Sequence, residues 1–579
     1  MSFWERVVGV EVVMADGSRH VAPLRLDSQA TVGPVAVAVG QPLTMDDGGE
    51  TVAWTAGPLR RKVDVGAIRL RVHLDHDGGG APVRIFKHGH QSWSWSGAVV
   101  LGDHEDPARR GAPWLVRAIY EADPEPADAG EVRSEGAVVI DLGDRRLCLG
   151  ALGGDAHDTT FRLRARPGGL EILVEAYMGG ARLGAERPLH VVGAWEGDQP
   201  YAQLATWAAG LGELERARVD APHQVGWCSW YHWFDRITET DVAATVARSE
   251  TWPFDVIQVD DGWQSAIGDW RTTSASFPSG LVAVAERIEG AGRQPGLWLA
   301  PFLVAPSSNL AREHPQWIAR WIDGREPLVG NVNPTWGGAV HVLDPTHPEV
   351  VAHLEALASD LATAGFRYLK LDFCYAPSLP GRYHDRQATP AERVRAGLAA
   401  IRRGAGDSVF LLGCGAPLVP SVGLVDGMRI GPDVAPAWAP STWLPGYAEA
   451  APSTRNAWRN TLARSFMHRR LWLNDPDCLM LRATDTSLDE DAARAWALAV
   501  GVSGGMAMVS DDLALLDDGA RRLLDEVVEL GRRADDASQA GPPPRCDDLL
   551  LPTLPARLSI DGLRLVADTS VPTAHVERS

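Results

Sequence analysis

The sequence has no C-x-x-C pair: its six cysteines (Cys148, Cys228, Cys374, Cys414, Cys478 and Cys546) are scattered over 579 residues. That spacing excludes a disulfide framework and a zinc ribbon, and it leads us to expect reduced thiols in a cytoplasmic protein. Runs of lysine and arginine are also missing, and the formal net charge is −20. Neither a nucleic-acid backbone nor an anionic membrane is therefore expected as a partner. No stretch approaches about 18 apolar residues, so no transmembrane helix is expected. The opening MSFWERVVGVEVV lacks the basic-then-apolar order of a signal peptide. Tyrosine is sparse, 8 residues against 22 tryptophans. Flat apolar rings suit sugar faces and protein cores alike, so this imbalance is only a hint.

What is present is an ordinary globular composition, 45% hydrophobic and 22% charged, on a chain long enough for two to four domains. Residues 1–200 carry short alternating runs (VAVAVG, LRLRVHL, GAVVIDL, LEILVEAYM) punctuated by Gly, Asp and Pro, the pattern of an antiparallel β-sandwich with no long helical pattern interrupting it. Residues 201–222 read as a helical linker. From 223 the runs 223–230, 254–261, 294–302, 368–373, 409–414, 427–431, 471–475 and 505–512 alternate with helical segments such as 281–292, 346–365, 391–403, 453–468 and 487–500. Eight such strands fit a (β/α)8 TIM barrel over 223–514. A ninth run, 339–345, is assigned to an insertion after the third strand, and the stretch 414–427 is too short for a full helix. The helix at 346–365 has a threonine start. Residues 515–579 read as a small C-terminal β-domain. The fold expected is multidomain: sandwich, linker, central barrel, C-terminal sheet.

The segment YLKLDFCYA (368–376) places Lys370, Asp372 and Cys374 on one face of a buried strand, with Leu369, Leu371 and Phe373 on the other. A buried charge needs a partner or a task. In a barrel the site lies at the C-terminal strand ends. Those ends present Trp230 and Tyr231, Asp260 and Asp261, Trp298, Lys370 and Asp372, Cys414, Arg429 with Asp433, Asp475 and Asp477, and Asp511 and Asp512. Carboxylates among tryptophans point to carbohydrate chemistry, in which two carboxyl groups share the work. His88 and His90 have no evident third ligand, so no metal and no cofactor are expected.

The blocks GWCSWYHWF (226–234), QVDDGW (258–263), GLWLAPF (296–302), YLKLDFCYA, LLGCGAPLVPSVGLVDGMRIGPD (411–433) and WLNDPDCL (472–479), with HQSWSWSG (90–97), resemble the α-galactosidases of glycoside hydrolase family 36. The glycine-poor CGAPLVP and the short C-terminal part resemble its compact bacterial members. The resemblance implies Asp372 as nucleophile, beside a sugar-binding Lys370, and Asp433 as acid/base. It also implies Arg429 and Cys414 around the 2-hydroxyl, and Asp260 and Asp261 on the hydroxyls that mark galactose. Trp298 would be an aromatic wall, with Trp230 and Tyr231 close by and Trp93 reaching in from the N-terminal loop.

The expected reaction is retaining double displacement on the terminal α-galactose of oligosaccharides such as melibiose or raffinose, with carboxyls about 5–5.5 Å apart and Lys370 helping to keep Asp372 ionised. Alternatives are a related α-N-acetylgalactosaminidase, α-glucosidase or transglycosylase, and a Schiff-base enzyme using Lys370.

Overall fold

The computed structural model describes residues 2–76, 82–102, 112–441 and 447–578. The alternating N-terminal runs form antiparallel sheets whose apolar positions turn to one side, as period-two patterning dictates. A six-stranded sheet is built around its longest strands, Val63–Asp75 and Gly169–Leu183, and a seven-stranded sheet contains Ala137–Asp141 and Arg146–Leu152. Ile68, Leu70 and Val72 of the first share one core with Val138, Ile140, Leu147 and Leu149 of the second, as two facing sheets do. A four-stranded sheet adds Val35, Val37 and Trp54 to that core. A short helix, α1 (Trp114–Tyr120), interrupts these strands. No long helix was expected here, and a helix of about two turns is too short to show as a period.

After helix α2 (Pro200–Leu214) the chain builds a curled parallel sheet. Its strands are β1 (Val225–Cys228), β2 (Val256–Val259), β3 (Gln294–Leu299), β4 (Tyr368–Leu371), β5 (Phe410–Gly413), β6 (Gly427–Arg429), β7 (Leu473–Asp475), β8 (Cys478–Leu479) and β9 (Ala507–Val509). They pair in the order β7-β6-β5-β4-β3-β2-β1-β9-β8, all parallel. The two outermost strands, β7 and β8, are consecutive in the chain and parted only by Pro476 and Asp477. Pro476 has no N–H for a ladder, and Asp477 sits at φ +91°, so one run of sequence becomes two short strands. The β-strands Leu303–Val304, Val329–Asn333 and Gly338–Val342 make a separate antiparallel sheet after β3, which is the expected insertion. The segment 414–427 holds a single turn, Leu418–Ser421.

Two local expectations change. The helix after the insertion runs Pro348–Thr363 and is capped by His347; Thr346 instead gives its hydroxyl to Asp344 at 2.6 Å. And β4 ends at Leu371, so side-chain alternation stops there. Phe373 adopts φ +54°, and Cys374 turns its thiol back to the Leu371 carbonyl at 3.2 Å. Cys374 therefore does not continue the row of Lys370 and Asp372, although it stays close enough for the charge of Asp372 to push its thiol up after burial does.

A 23-residue helix, Asp518–Ala540, precedes a four-stranded sheet formed by Arg545–Cys546, Arg557–Ile560, Leu563–Asp568 and Thr573–Arg578. Among the described residues no helix is long and apolar enough to cross a membrane.

Candidate active site

The parallel register brings the site together. Trp298 on β3 lies opposite Lys370 on β4, and Arg429 at the end of β6 lies opposite Asp475 at the end of β7. One residue beyond β4, the Asp372 backbone N–H donates to the Leu299 carbonyl at 2.8 Å, which extends the ladder far enough to fix its side chain. That carboxylate accepts the Trp298 indole N–H on Oδ2 at 3.0 Å and the Phe373 amide on Oδ1 at 2.8 Å.

Lys370 Nζ donates to Asp260 Oδ2 at 2.8 Å and stands 3.9 Å from Asp372 Oδ2. Burial disfavours its charge, but the carboxylates of Asp260 and Asp372 outweigh that and hold the ammonium well above the usual lysine range. Asp260 also accepts from the Gln258 amide at 2.5 Å, and its Oδ1 takes the Asp261 backbone N–H at 3.0 Å. Asp261 accepts Gln264 Nε2 at 2.5 Å and Trp336 Nε1 at 2.8 Å; burial pushes its carboxyl up to about 6.

Arg429 is buried and divided three ways. Nε meets Asp475 Oδ2 at 3.1 Å, Nη1 meets Asp433 Oδ1 at 3.1 Å and Nη2 meets Asp477 Oδ1 at 2.8 Å. The Asp433 side chain is 37% exposed, yet desolvation, opposed by Arg429 and reinforced by Asp477 and Asp372, pushes it up to about 7. Two cations, Lys370 and Arg429, thus serve five carboxyls: Asp260, Asp372, Asp433, Asp475 and Asp477. Like charges this close raise one another, as Asp477 and Asp372 do for Asp433. Cys414 is fully buried beside them; burial and then the charge of Asp372 push its thiol well up.

Trp93 comes from the N-terminal loop. Its ring meets Phe373 edge-on at 5.3 Å and Tyr375 at 6.0 Å. It fits only because residue 415 is glycine: a Cβ there would lie 2.8 Å from the indole, and φ is +52°. The fully buried Arg464 holds the loop. It donates to the carbonyls of Gly89, Gln91 and Ser92, to Ser96 Oγ, and to the Ile430 carbonyl just past β6. A cavity of about 410 Å³ opens beside Asp433, lined by Trp93, Ile119, Tyr120, Tyr375 and Tyr447. Clefts of about 1300 and 710 Å³ elsewhere share no residue with it.

Of the residues singled out from the sequence, Asp260, Asp261, Trp298, Lys370, Asp372, Cys414, Arg429 and Asp433 converge, with Trp93 at the rim. Tyr231 reaches the group through Asp477, to which its hydroxyl donates at 2.5 Å. Trp230 packs its ring on Phe234, 5.3 Å between centroids, outside this hydrogen-bonded network. Sequence reasoning did not single out Trp336, whose signal was only its place in the insertion, nor Arg464, which carries no local signal.

Comparison with known proteins decides the family. Residues 224–396 match the melibiase family model. The α-galactosidase TtGalA of Thermus thermophilus, solved in complex with stachyose, is 30% identical over 84% of this chain and 99% of its own, with a TM-score of 0.68. The chain belongs to the melibiase family, glycoside hydrolase family 36. Other family members match over shorter stretches. The α-galactosidase AgaA of Geobacillus stearothermophilus is 29% identical over 25% of this chain and 20% of its own length. An α-galactosidase of Escherichia coli is 37% identical over 17% of this chain and 13% of its own. The melibiase match spans Asp260, Asp261, Trp298, Lys370 and Asp372, whereas Cys414, Arg429 and Asp433 lie beyond it.

Proposed function

We propose that this chain is a retaining, exo-acting α-galactosidase that removes terminal α-linked galactose from oligosaccharides such as melibiose or raffinose. The observation that carries the reading is the pairing of an oriented carboxylate with a carboxyl that can hold a proton. Asp372 is fixed by Trp298 and Phe373, and Asp433 is raised to about 7. In this scheme Asp372 bonds to the anomeric carbon as the glycosidic C–O bond breaks, and Asp433 gives its proton to the departing oxygen. Water then attacks the galactosyl ester, losing its proton to Asp433, and Asp372 leaves as carboxylate. The buried end of the site, with Asp260, Asp261, Lys370 and Arg429, would bind the galactose hydroxyls, and the cavity beside Asp433 would take the leaving sugar. That TtGalA was solved with stachyose supports an oligosaccharide substrate.

The same reading makes the curled sheet a closed (β/α)8 barrel, supported by outermost strands that belong to one run of chain. It places the sandwich at 1–200, the linker at 201–222, the barrel at 223–514 and the C-terminal β-domain at 515–579. Six buried free thiols support a reducing, cytoplasmic setting. A Schiff-base role for Lys370 needs a lowered lysine pKa, whereas its two carboxylate neighbours raise it.

The test is hydrolysis of p-nitrophenyl α-galactoside, with the α-glucoside and the α-N-acetylgalactosaminide as controls, and azide added to Asp372→Ala. Preference for the galactoside and formation of β-galactosyl azide are expected. An Asp372→Ala variant with full activity would overturn the assignment.

A further inference from the structure

We propose that Asp477 is a positioning residue for the reaction: it seats the segment carrying Asp433 and, by occupying Arg429, leaves Asp433 free to keep its proton. This rests on the reading of Asp433 as the acid. An undivided arginine 3.1 Å from Asp433 would hold that group ionised and useless as a proton donor at neutral pH. Here the guanidinium is divided. Asp477 takes Nη2 at 2.8 Å, the shortest of the three contacts, and Asp475 takes Nε at 3.1 Å.

Asp477 is itself committed on every side. Its Oδ1 accepts the Cys478 N–H at 2.7 Å as well as Arg429, and its Oδ2 accepts the Tyr231 hydroxyl at 2.5 Å and the Val434 N–H at 2.9 Å. The Val434 bond pins the residue next to Asp433. Burial, with Asp475 beside it, pushes the Asp477 carboxyl up, and Arg429, Lys370 and the Tyr231 hydroxyl oppose that shift; the φ of +91° at Asp477 is the local strain that aims it. The sequence D-P-D thus serves two ends: Asp475 finishes β7, and the break at Pro476 frees Asp477 to face Arg429.

The other groups do not compete for this role. Asp433 is faced by Arg429, Asp477, Asp372, Lys370, Tyr120, Tyr231, Tyr447 and Cys414; Asp477 is faced by Arg429, Asp475, Lys370, Tyr231 and Cys478. Burial keeps the phenols and thiols of this set neutral. Lys370 is claimed first by Asp260.

The experiment is the pH profile of kcat/KM on p-nitrophenyl α-galactoside for the full chain, its Asp477→Asn variant and its Tyr231→Phe variant, each checked for a cooperative melt. Removing the charge at Asp477 gives Arg429 more fully to Asp433. The alkaline limb should then move to lower pH, on the order of one unit. Tyr231→Phe removes the shortest of the four contacts to Asp477, so Asp477 takes up its own proton at higher pH and the limb moves the same way by less. A uniform loss of rate with the limb unmoved in the folded variants would overturn the proposal, leaving Asp477 a structural residue. If only Tyr231→Phe folds, an unmoved limb there overturns it equally. An inactive wild type would instead overturn the proposed function.

Discussion

Lys370 makes its closest contact with Asp260, at 2.8 Å, and stands 3.9 Å from Asp372. Lys370, expected from the sequence to help keep Asp372 ionised, donates first to Asp260 and joins the two carboxylates into one unit. Lys370→Met should therefore do more than slow the reaction. It leaves Asp260 buried without its cation, at a cost of about 3–5 kcal/mol. Urea unfolding measures that loss, and KM for the galactoside should rise as kcat falls.

The raised carboxyls set the direction of two pH effects. Asp433 at about 7 and Asp261 at about 6 hold protons that the unfolded chain releases near pH 4. The folded state then binds more protons than the unfolded state between those values, so their contribution to stability falls as pH rises through this window. The melting temperature of Asp433→Asn relative to wild type should climb from pH 5 to pH 7.5. In activity, kcat/KM of the wild type should decline above about pH 7 as Asp433 loses its proton.

Arg464→Met strips the donor from the buried carbonyls of Gly89, Ser92 and Ile430, while the Gln91 carbonyl keeps the Ser94 N–H and the Ser96 hydroxyl keeps the Gly89 N–H. Each buried acceptor left unpaired costs about 1–3 kcal/mol. The expected outcome is a loss of several kcal/mol in urea unfolding, together with a higher KM because the loop bearing Trp93 is no longer tied to the chain past β6.

Gly415→Ala puts a methyl group 2.8 Å from the Trp93 indole at a φ of +52°. The left-handed backbone alone costs about 1–2 kcal/mol. We expect kcat/KM to fall mainly through KM, with intrinsic tryptophan fluorescence reporting the displaced ring.

Much of this was legible in the chain. The runs 223–230, 254–261, 294–302, 368–373, 409–414, 427–431 and 505–512 contain the strands that end at Cys228, Val259, Leu299, Leu371, Gly413, Arg429 and Val509, because continuous apolar stretches suit a sheet buried on both faces. Asp260, Asp261, Asp372 and Asp433, just past those ends, converged because parallel strands deliver their C-terminal ends to one side; Asp511 instead pairs with Arg482 at 2.7 Å and Asp512 accepts the Ala514 N–H. What was not legible depends on distant sequence. Trp336 reaches Asp261 from the insertion after β3, Arg464 binds a loop some 370 positions earlier, and α1 is too short to show a period. The division of Arg429 among three carboxylates was also hidden. The D-P-D acids were visible at the rim, but nothing local says that a strand break turns the second of them inward.

The tie between Arg464 and the loop also has a consequence in time. The Arg464 and Ser92 ends of that bond are 372 residues apart. At ribosomal speeds of about 5–20 residues per second, that gap is on the order of tens of seconds. A nascent chain can therefore carry Asp372 and Asp433 while the loop bearing Trp93 is joined to Ala416 and Leu418, through the Ser92 N–H at 3.1 Å and the His90 carbonyl at 3.0 Å, and residue 464 is the point in synthesis at which a further fastening arrives.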